Sequence, residues 1–404
     1  MRRKLVIAAV ALVIAGIASC LAFNAHVDRR WREARRIAKE RLAAARAAAP
    51  RPVLRGGDPD PGSAWDHYPA AVNACKLLGT RADWLGWHLD GTKDWNGEPV
   101  RPRAAAIVEE RLAAIDALRR GVRCGRGMRV RDWESGLAVC SGSISGEGAF
   151  RLSRAASCRA LFLADEGRAG EAAELLLDTL QFARDIGEDA DFYDGVASRE
   201  AYKPAFLALR HLLLSGRLTP GELAQIAREL EIIDRGFTTR TETVTNQLRI
   251  VLAEWMREAW ADWLSAQGVP GRLPAYGFSM RFMAADAIPI VDDLVRRGVE
   301  ASRPPWPEAR LRLAALSAEA KASSNPLVAA LDWPGGPALW AQDLEVRAEL
   351  RLLRAAAHRL SAGAWPELDD PFGAKLRSDA RSAWSVGPDG VDGTKDDITL
   401  RLGE

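Results

Sequence analysis

Residues 161–176, LFLADEGRAGEAAELL, give the clearest indication of the fold class of this chain. Apolar residues recur at helical spacing before and after the centre of this stretch, as expected for two helices that each bury one face. Gly167-Arg168-Ala169-Gly170 lies between the two patterns and predicts a tight turn. The sequence therefore predicts a pair of helices over residues 149–165 and 171–186.

Helical periodicity continues on both sides of this hairpin. It predicts further helices over residues 64–78, 103–120, 197–214, 220–233, 241–266, 284–297, 307–322 and 337–360. Thr219-Pro220-Gly221-Glu222 has the residues of a good helix start, with Thr as N-cap, Pro first and Glu third. The hairpin resembles one unit of a tetratricopeptide pair, but no second copy follows at a fixed period. We predict a mainly α protein whose multi-helix domain, residues 64–335, is only partly tetratricopeptide-like.

Proline and glycine mark the boundary in front of this domain. Residues 28–49 are rich in Ala, Arg and Glu and predict a solvated helix, which Pro50-Arg51-Pro52 ends. The stretch that follows is rich in Gly, Pro and Asp, which is typical of a linker. We predict a juxtamembrane helix and linker over residues 27–63 and a separate C-terminal module over residues 336–404.

The N-terminus predicts a membrane anchor. Basic residues at positions 2–4 precede nineteen uncharged residues, Leu5 to Phe23. As a helix this run would be roughly 28 Å long, close to the ~30 Å hydrocarbon core of a bilayer. We expect residues 1–26 to be a retained signal-anchor. Two alternatives stay open: acylation of Cys20, because Ile17-Ala18-Ser19-Cys20 resembles a bacterial lipobox, and simple cleavage of an export signal.

The cysteines and the signal-like N-terminus favour an extracytoplasmic location for the rest of the chain. Four cysteines remain outside the anchor: Cys75, Cys124, Cys140 and Cys158. An even number allows two disulfides, and a Cys124–Cys140 pair would close the most plausible short loop. Buried free thiols are an equally good interpretation.

Composition and motifs argue against several classes of function. Lys plus Arg is 56 and Asp plus Glu is 54, so bulk charge does not favour a nucleic-acid partner. The five histidines include no H-E-x-x-H pair, and the chain has no G-x-S-x-G elbow, P-loop or dinucleotide fingerprint. We expect a protein that is not an enzyme, although a helical fold could still bring two carboxylates together for acid–base chemistry.

One acidic segment near the C-terminus has the residues of a metal site. Residues 389–397 contain four aspartates, Asp389, Asp392, Asp396 and Asp397, and two glycines. Like charges in a short loop repel unless solvent or a cation compensates, and hard oxygen ligands on a flexible loop suit Ca²⁺. The spacing is not that of an EF-hand. A solvated acidic turn is the alternative.

The last sixty-five residues or so, about 340–404, resemble the C-terminal half of the type II secretion major pseudopilin. The resemblance rests on the order of four motifs: Trp365-Pro366, Asp370-Pro371-Phe372-Gly373, Ser385-Val386-Gly387-Pro388-Asp389-Gly390 and Asp396-Asp397-Ile398. It implies a small β module with a calcium-binding loop. By match, Asp389 and Asp397 are the best ligands, and Asp392 and Asp396 are candidates.

The N-terminus departs from the pseudopilin pattern, because it lacks the short leader with a Gly cleavage site and the Phe-led helix with Glu at its fifth position. Assembly into a pseudopilus is therefore not implied. We expect a non-enzymatic scaffold or interaction protein with a calcium-stabilised C-terminal module. It would be held in the inner membrane of a bacterial envelope, facing the periplasm or exterior, with a protein partner there. The alternatives are an envelope glycan hydrolase that uses a carboxylate pair and an accessory protein of a secretion or pilus-like system.

Overall fold

Helices form most of the described part of the chain. A computed structural model describes residues 54–56, 58–76, 100–127, 146–188, 192–236, 274–325, 328–329 and 337–403, together with helical positions between residues 10 and 43. The prediction of a mainly α protein is confirmed. The helix predicted over residues 241–266 lies outside these ranges.

The elements follow one another as helices with a few short strands. The helices are α1 (Tyr68–Lys76), α2 (Val100–Glu109), α3 (Leu112–Arg123), α4 (Gly146–Asp165), α5 (Ala169–Gly187), α6 (Phe192–Leu214), α7 (Pro220–Arg235), α8 (Pro274–Ala301), α9 (Trp306–Lys321) and α10 (Pro337–Ala362). A 3₁₀ turn, Ala64–Asp66, precedes α1. The strands are β1 (Asp60–Ser63), β2 (Cys124–Arg126), β3 (Arg377–Ser378), β4 (Ser382–Ser385) and β5 (Ile398–Arg401).

The predicted helical hairpin is present as α4 and α5. Gly167 turns the chain between them with a φ of +81°, a conformation that glycine adopts without steric cost. Helix α6 packs across both helices, and α1 and α3 cover the other side. Leu152, Phe182 and Leu209 are fully buried where these helices meet. The hairpin is therefore the centre of the main hydrophobic core.

Local backbone geometry sets two of the helix boundaries. The predicted start of α7 is confirmed as a capping box: Glu222 N donates to Thr219 Oγ1 at 3.3 Å, and Thr219 N donates to Glu222 Oε2 at 2.7 Å. The single helix predicted over residues 103–120 is instead two helices, α2 and α3. The break falls at Arg111, whose backbone leaves helical geometry (φ −117°, ψ 6°) and whose side chain is buried.

The stretch predicted as a linker contributes to the fold before residue 63. Leu54 is buried, and Arg55 forms ion pairs with Asp178 of α5 and Glu229 of α7. Strand β1 pairs in parallel with β2, with Asp60 opposite Cys124. The helical part therefore begins at least as early as residue 54. Proline and glycine content did not reveal this, because the contacts are with residues more than sixty positions away.

The C-terminal residues form a small sheet, as the resemblance to the pseudopilins leads us to expect. Strands β3, β4 and β5 are antiparallel in that order, and Trp384 of β4 lies opposite Thr399 of β5. The helix that leads into this sheet, α10, packs against α7 and α6. The C-terminal residues are therefore packed on the helical domain.

Two hydrophobic clusters meet at α10. The main cluster includes Leu352 and Leu353 of α10, together with Ala383 of β4 and Leu400 of β5. The second cluster is formed mainly by α8 and α9. It also takes in Ala341 and Ala348 of α10, as well as Phe372 and Val386 from the C-terminal residues. The C-terminal residues thus contribute apolar side chains to both clusters.

The membrane anchor stays a prediction. Within the residues that the structure describes, none of the helices combines the length and the apolar character needed to cross a bilayer. The apolar run over residues 5–23 is described only in part. Cys20, the alternative acylation site, lies outside the described residues.

Candidate functional site

A buried carboxylate organises the turn after α10. Asp370 is 4% exposed. Its Oδ1 accepts hydrogen bonds from Phe372 N at 2.9 Å and from the Ser385 hydroxyl at 2.7 Å, and its Oδ2 accepts one from Val386 N at 2.9 Å. Asp370 therefore ties the turn over residues 370–373 to the end of β4. In the motif that resembles the pseudopilins, this aspartate has a structural role.

Helix α9 holds both the turn and the acidic loop. Phe372 is fully buried, and its ring meets the ring of Trp306 edge to face at a centroid distance of 5.8 Å. The indole N–H of Trp306 donates to Pro388 O at 2.7 Å. The packed aromatic pair therefore fixes the turn to the helical domain, and the hydrogen bond to Pro388 fixes the loop between β4 and β5.

Three of the four predicted metal ligands bond mainly within their own loop. Asp396 Oδ2 accepts from Asp389 N at 2.9 Å, and Asp389 Oδ1 accepts from Val391 N at 2.7 Å. Asp397 Oδ2 accepts from Gly393 N at 2.9 Å. The Thr394 hydroxyl, and after it Asp389 N–H, hold the pKa of Asp396 below its ordinary value. Asp396 is accordingly ionised at neutral pH.

The fourth predicted ligand, Asp392, contacts the sheet. Its Oδ1 accepts a hydrogen bond from the Trp384 indole at 2.7 Å, and its Oδ2 lies 4.0 Å from Arg377 Nε. Among the described residues, no group of three or more His, Cys, Asp or Glu side chains is arranged to hold a metal ion. One carboxylate oxygen, Asp397 Oδ1, is buried and lacks a hydrogen-bond partner. The calcium site stays a prediction.

A cavity that the sequence did not predict lies beside this loop. It has a volume of about 590 Å³ and is bounded by α6, α10 and β5. Its lining residues are Val196, Arg199, Glu200, Tyr202, Lys203, Phe206, Leu207, Arg210, Gln342, Glu345, Val346, Glu349 and Ile398. These positions recur at three- and four-residue intervals along α6 and α10, so one face of each helix borders the cavity.

The two helices bring opposite charges to the cavity. Helix α6 contributes three cations and one carboxylate, and α10 contributes the carboxylates Glu345 and Glu349. One ion pair crosses between them, from Arg210 to Glu349 at 3.5 Å. Arg210 also donates to Thr399 O at 3.1 Å. This bond links α6 to β5, the third element that borders the cavity.

Burial changes the acidity of both α10 carboxylates. Burial raises the pKa of Glu349, and the nearby Arg210 opposes this effect. Burial likewise raises the pKa of Glu345, against the opposing influence of Lys203 and Arg199. Asp396 of the acidic loop raises the pKa of Glu345 further.

Sequence reasoning missed these cavity residues for a physical reason. Charged residues at three- and four-residue spacing on a helix most often mark a solvated face. The only available signal was that both faces also carry apolar residues, Phe206 on α6 and Val346 on α10. A helix face that carries both charged and apolar residues does not reveal which other helix it packs against.

Only one cysteine of the predicted disulfide, Cys124, lies within the described residues. Cys124 is buried at the start of β2, and its Sγ donates to Arg120 O at 3.5 Å. Cys140 lies outside the described residues, so the Cys124–Cys140 pair stays a prediction. Cys75 and Cys158 are buried free thiols. Burial raises the pKa of Cys158 to about 12, so this thiol is protonated at neutral pH and unreactive.

The resemblance to the pseudopilins rests on the four C-terminal motifs alone and stays a prediction. Comparisons with protein-family models, with curated proteins and with solved structures give no match.

Proposed function

We propose that this protein is a non-enzymatic scaffold or interaction protein, tethered to the inner membrane of a bacterial envelope by its N-terminus. Its bulk would face the periplasm or exterior and meet a protein partner there. The observation that carries the proposal is the packing of the C-terminal residues into both hydrophobic clusters. A C-terminal module that α9 and α10 hold rigidly in this way can present a fixed surface to a protein partner.

The cavity gives little support to the alternative of a glycan hydrolase. Glycan sites commonly present exposed aromatic faces to sugar rings. None of the residues lining the cavity, all within the described part of the chain, is a tryptophan. Its two aromatic residues, Tyr202 and Phe206, are 1% and 7% exposed and stack on each other at 5.3 Å. We therefore favour the scaffold.

We include a calcium ion in this proposal. Asp389, Asp396 and Asp397 would hold it, because they share one glycine-bearing loop and offer the hard oxygen atoms that Ca²⁺ prefers. The buried, unbonded Oδ1 of Asp397 supports this assignment. When bound, the ion would neutralise the loop charges and stiffen the β4–β5 connection.

A thermal melt of the full-length protein in detergent tests the proposal. We expect Ca²⁺ to raise the melting midpoint relative to a chelator, with a stabilisation of about 2.7 kcal/mol at a hundred times the dissociation constant. The Asp389→Asn/Asp397→Asn double variant should lose this response. Asp369→Asn is the matched control and should keep it, because Asp369 is an exposed carboxylate outside the loop that pairs with Lys375. A parent midpoint that does not respond to Ca²⁺ would contradict the calcium-stabilised module.

A further inference from the structure

We propose that the cavity between α6, α10 and β5 binds a small zwitterion with an apolar body, of the free amino acid or dipeptide class. Three observations carry this inference. The cavity has a volume of about 590 Å³, which is within the usual range for small-molecule sites. Its walls carry opposite charges. Two of those charges, one of each sign, form no hydrogen bond or ion pair with another described residue.

The charge pairing within the cavity is incomplete. Lys203 pairs with Glu200 on the same helix at 2.7 Å, and Arg210 pairs with Glu349 across the cavity at 3.5 Å. These two pairs leave Arg199 on the α6 wall and Glu345 on the α10 wall. Within the part of the chain that the structure describes, neither side chain forms a hydrogen bond or an ion pair.

Unpaired charges at the wall of a half-buried cavity are costly. Burial raises the pKa of Glu345, and Lys203 and Arg199 oppose that rise. A ligand that supplied only an anion would leave Glu345 unpaired, and one that supplied only a cation would leave Arg199 unpaired. A ligand with both charges would satisfy both walls.

The chemistry of the two groups suits the two charged ends of an amino acid or dipeptide. The planar guanidinium of Arg199 can bind a carboxylate through two parallel hydrogen bonds, and the carboxylate of Glu345 can accept from an ammonium group. Val346 and Ile398 also line the cavity and offer an apolar surface for an aliphatic side chain. An uncharged sugar fits less well, because the aromatic faces are buried against each other.

This inference goes beyond the scaffold role and does not depend on it. Arg199 and Glu345 belong to α6 and α10, whereas the calcium test acts on the β4–β5 loop. A failed calcium response and a failed ligand titration would therefore be separate results.

Titration calorimetry on the full-length protein in detergent tests the inference. The probes are leucine, leucyl-leucine, N-acetyl-leucyl-leucine and leucyl-leucine amide. We expect leucine or leucyl-leucine to bind. Acetylation or amidation of leucyl-leucine should weaken its binding by about tenfold or more, the size of one charge-assisted hydrogen bond. This comparison uses the parent protein alone, so it does not depend on the folding of a variant.

Two variants assign each end of the ligand to a wall. The Arg199→Gln variant should bind leucyl-leucine and leucyl-leucine amide equally weakly, because it has lost the group that binds the carboxylate. The Glu345→Gln variant should bind leucyl-leucine and N-acetyl-leucyl-leucine equally weakly, because it has lost the group that binds the ammonium. Glu308→Gln and Arg312→Gln alter an exposed ion pair on α9 and should bind like the parent. The inference is overturned if neither leucine nor leucyl-leucine binds at millimolar concentration. It is also overturned if the blocked peptides bind as tightly as the free one.

Discussion

At the scale of single residues, Asp370 shows how one carboxylate can replace several backbone contacts. Its two oxygen atoms accept bonds from two backbone N–H groups and a hydroxyl, and all three donors lie in turns or at a strand end. Such donors have no regular partner and would be costly to bury unpaired. The neighbouring Asp369 is exposed and binds Lys375 at 2.8 Å. The two aspartates therefore differ in role although they are adjacent.

We expect Asp370→Ala to lower the free energy of unfolding by about 2–4 kcal/mol, because it leaves several buried donors unpaired. Asp369→Ala should change it by less than about 0.5 kcal/mol, as is usual for an exposed ion pair. Urea unfolding of both variants measures the difference. Equal losses in the two variants would show that Asp370 is not the organising residue.

At the scale of elements, the β4–β5 loop depends on a close approach of its own backbone. Gly387 and Gly393 both have positive φ angles, +65° and +85°. A Cβ added to Gly387 would clash with Asp396 O, whereas a Cβ added to Gly393 would meet no atom within 4 Å. Both glycines therefore adopt a left-handed backbone conformation. Only at Gly387 does the neighbouring backbone also leave no room for a side chain.

This difference predicts unequal effects of alanine. Gly393→Ala should cost about 1–2 kcal/mol for placing a side chain in left-handed geometry. Gly387→Ala should cost about 1–3 kcal/mol more, because the loop must also move away from the new methyl group. The measurement is again the free energy of unfolding. Similar values for the two variants would argue that the ends of the loop are not tightly held.

At the scale of the whole molecule, the cavity makes stability depend on pH. Burial raises the pKa of Glu349 above its ordinary value of 4.5, so the folded protein binds this proton more tightly than the unfolded chain does. A group of this kind favours folding at low pH, and its contribution falls as the pH rises from 4.5 through the raised value. An exposed pair behaves in the opposite way: Arg297 lowers the pKa of Glu319, whose contribution is lost as the pH falls below 4.5.

We therefore expect Glu349→Gln to gain stability relative to the parent as the pH rises from about 4 to about 8, because glutamine cannot ionise in the cavity. Glu319→Gln should lose stability relative to its parent over the same range, by a small amount, since its ion pair is exposed. Unfolding free energies at a series of pH values give both trends. A flat difference for Glu349→Gln would mean that the cavity does not disfavour the charge.

Local features of the sequence indicated most of the described helices and the capping box at Thr219, whereas the small C-terminal sheet was expected from the resemblance to the pseudopilins. The helices and the capping box each depend on residues within a few positions of one another, so periodicity and turn chemistry were sufficient. Local pattern also indicated the acidic loop and its four aspartates. It failed at Arg111, where a buried side chain interrupts a continuous helical pattern.

Only the tertiary structure decided which distant residues meet. Arg55 binds Asp178 across 123 positions, and Arg210 binds Thr399 O across 189 positions. Arg199 and Glu345 border one cavity because α6 and α10 face each other there. Charged residues at helical spacing look the same whether they face solvent or another helix. The sequence therefore determined the elements, whereas the packing of α6, α10 and β5 created the candidate binding site.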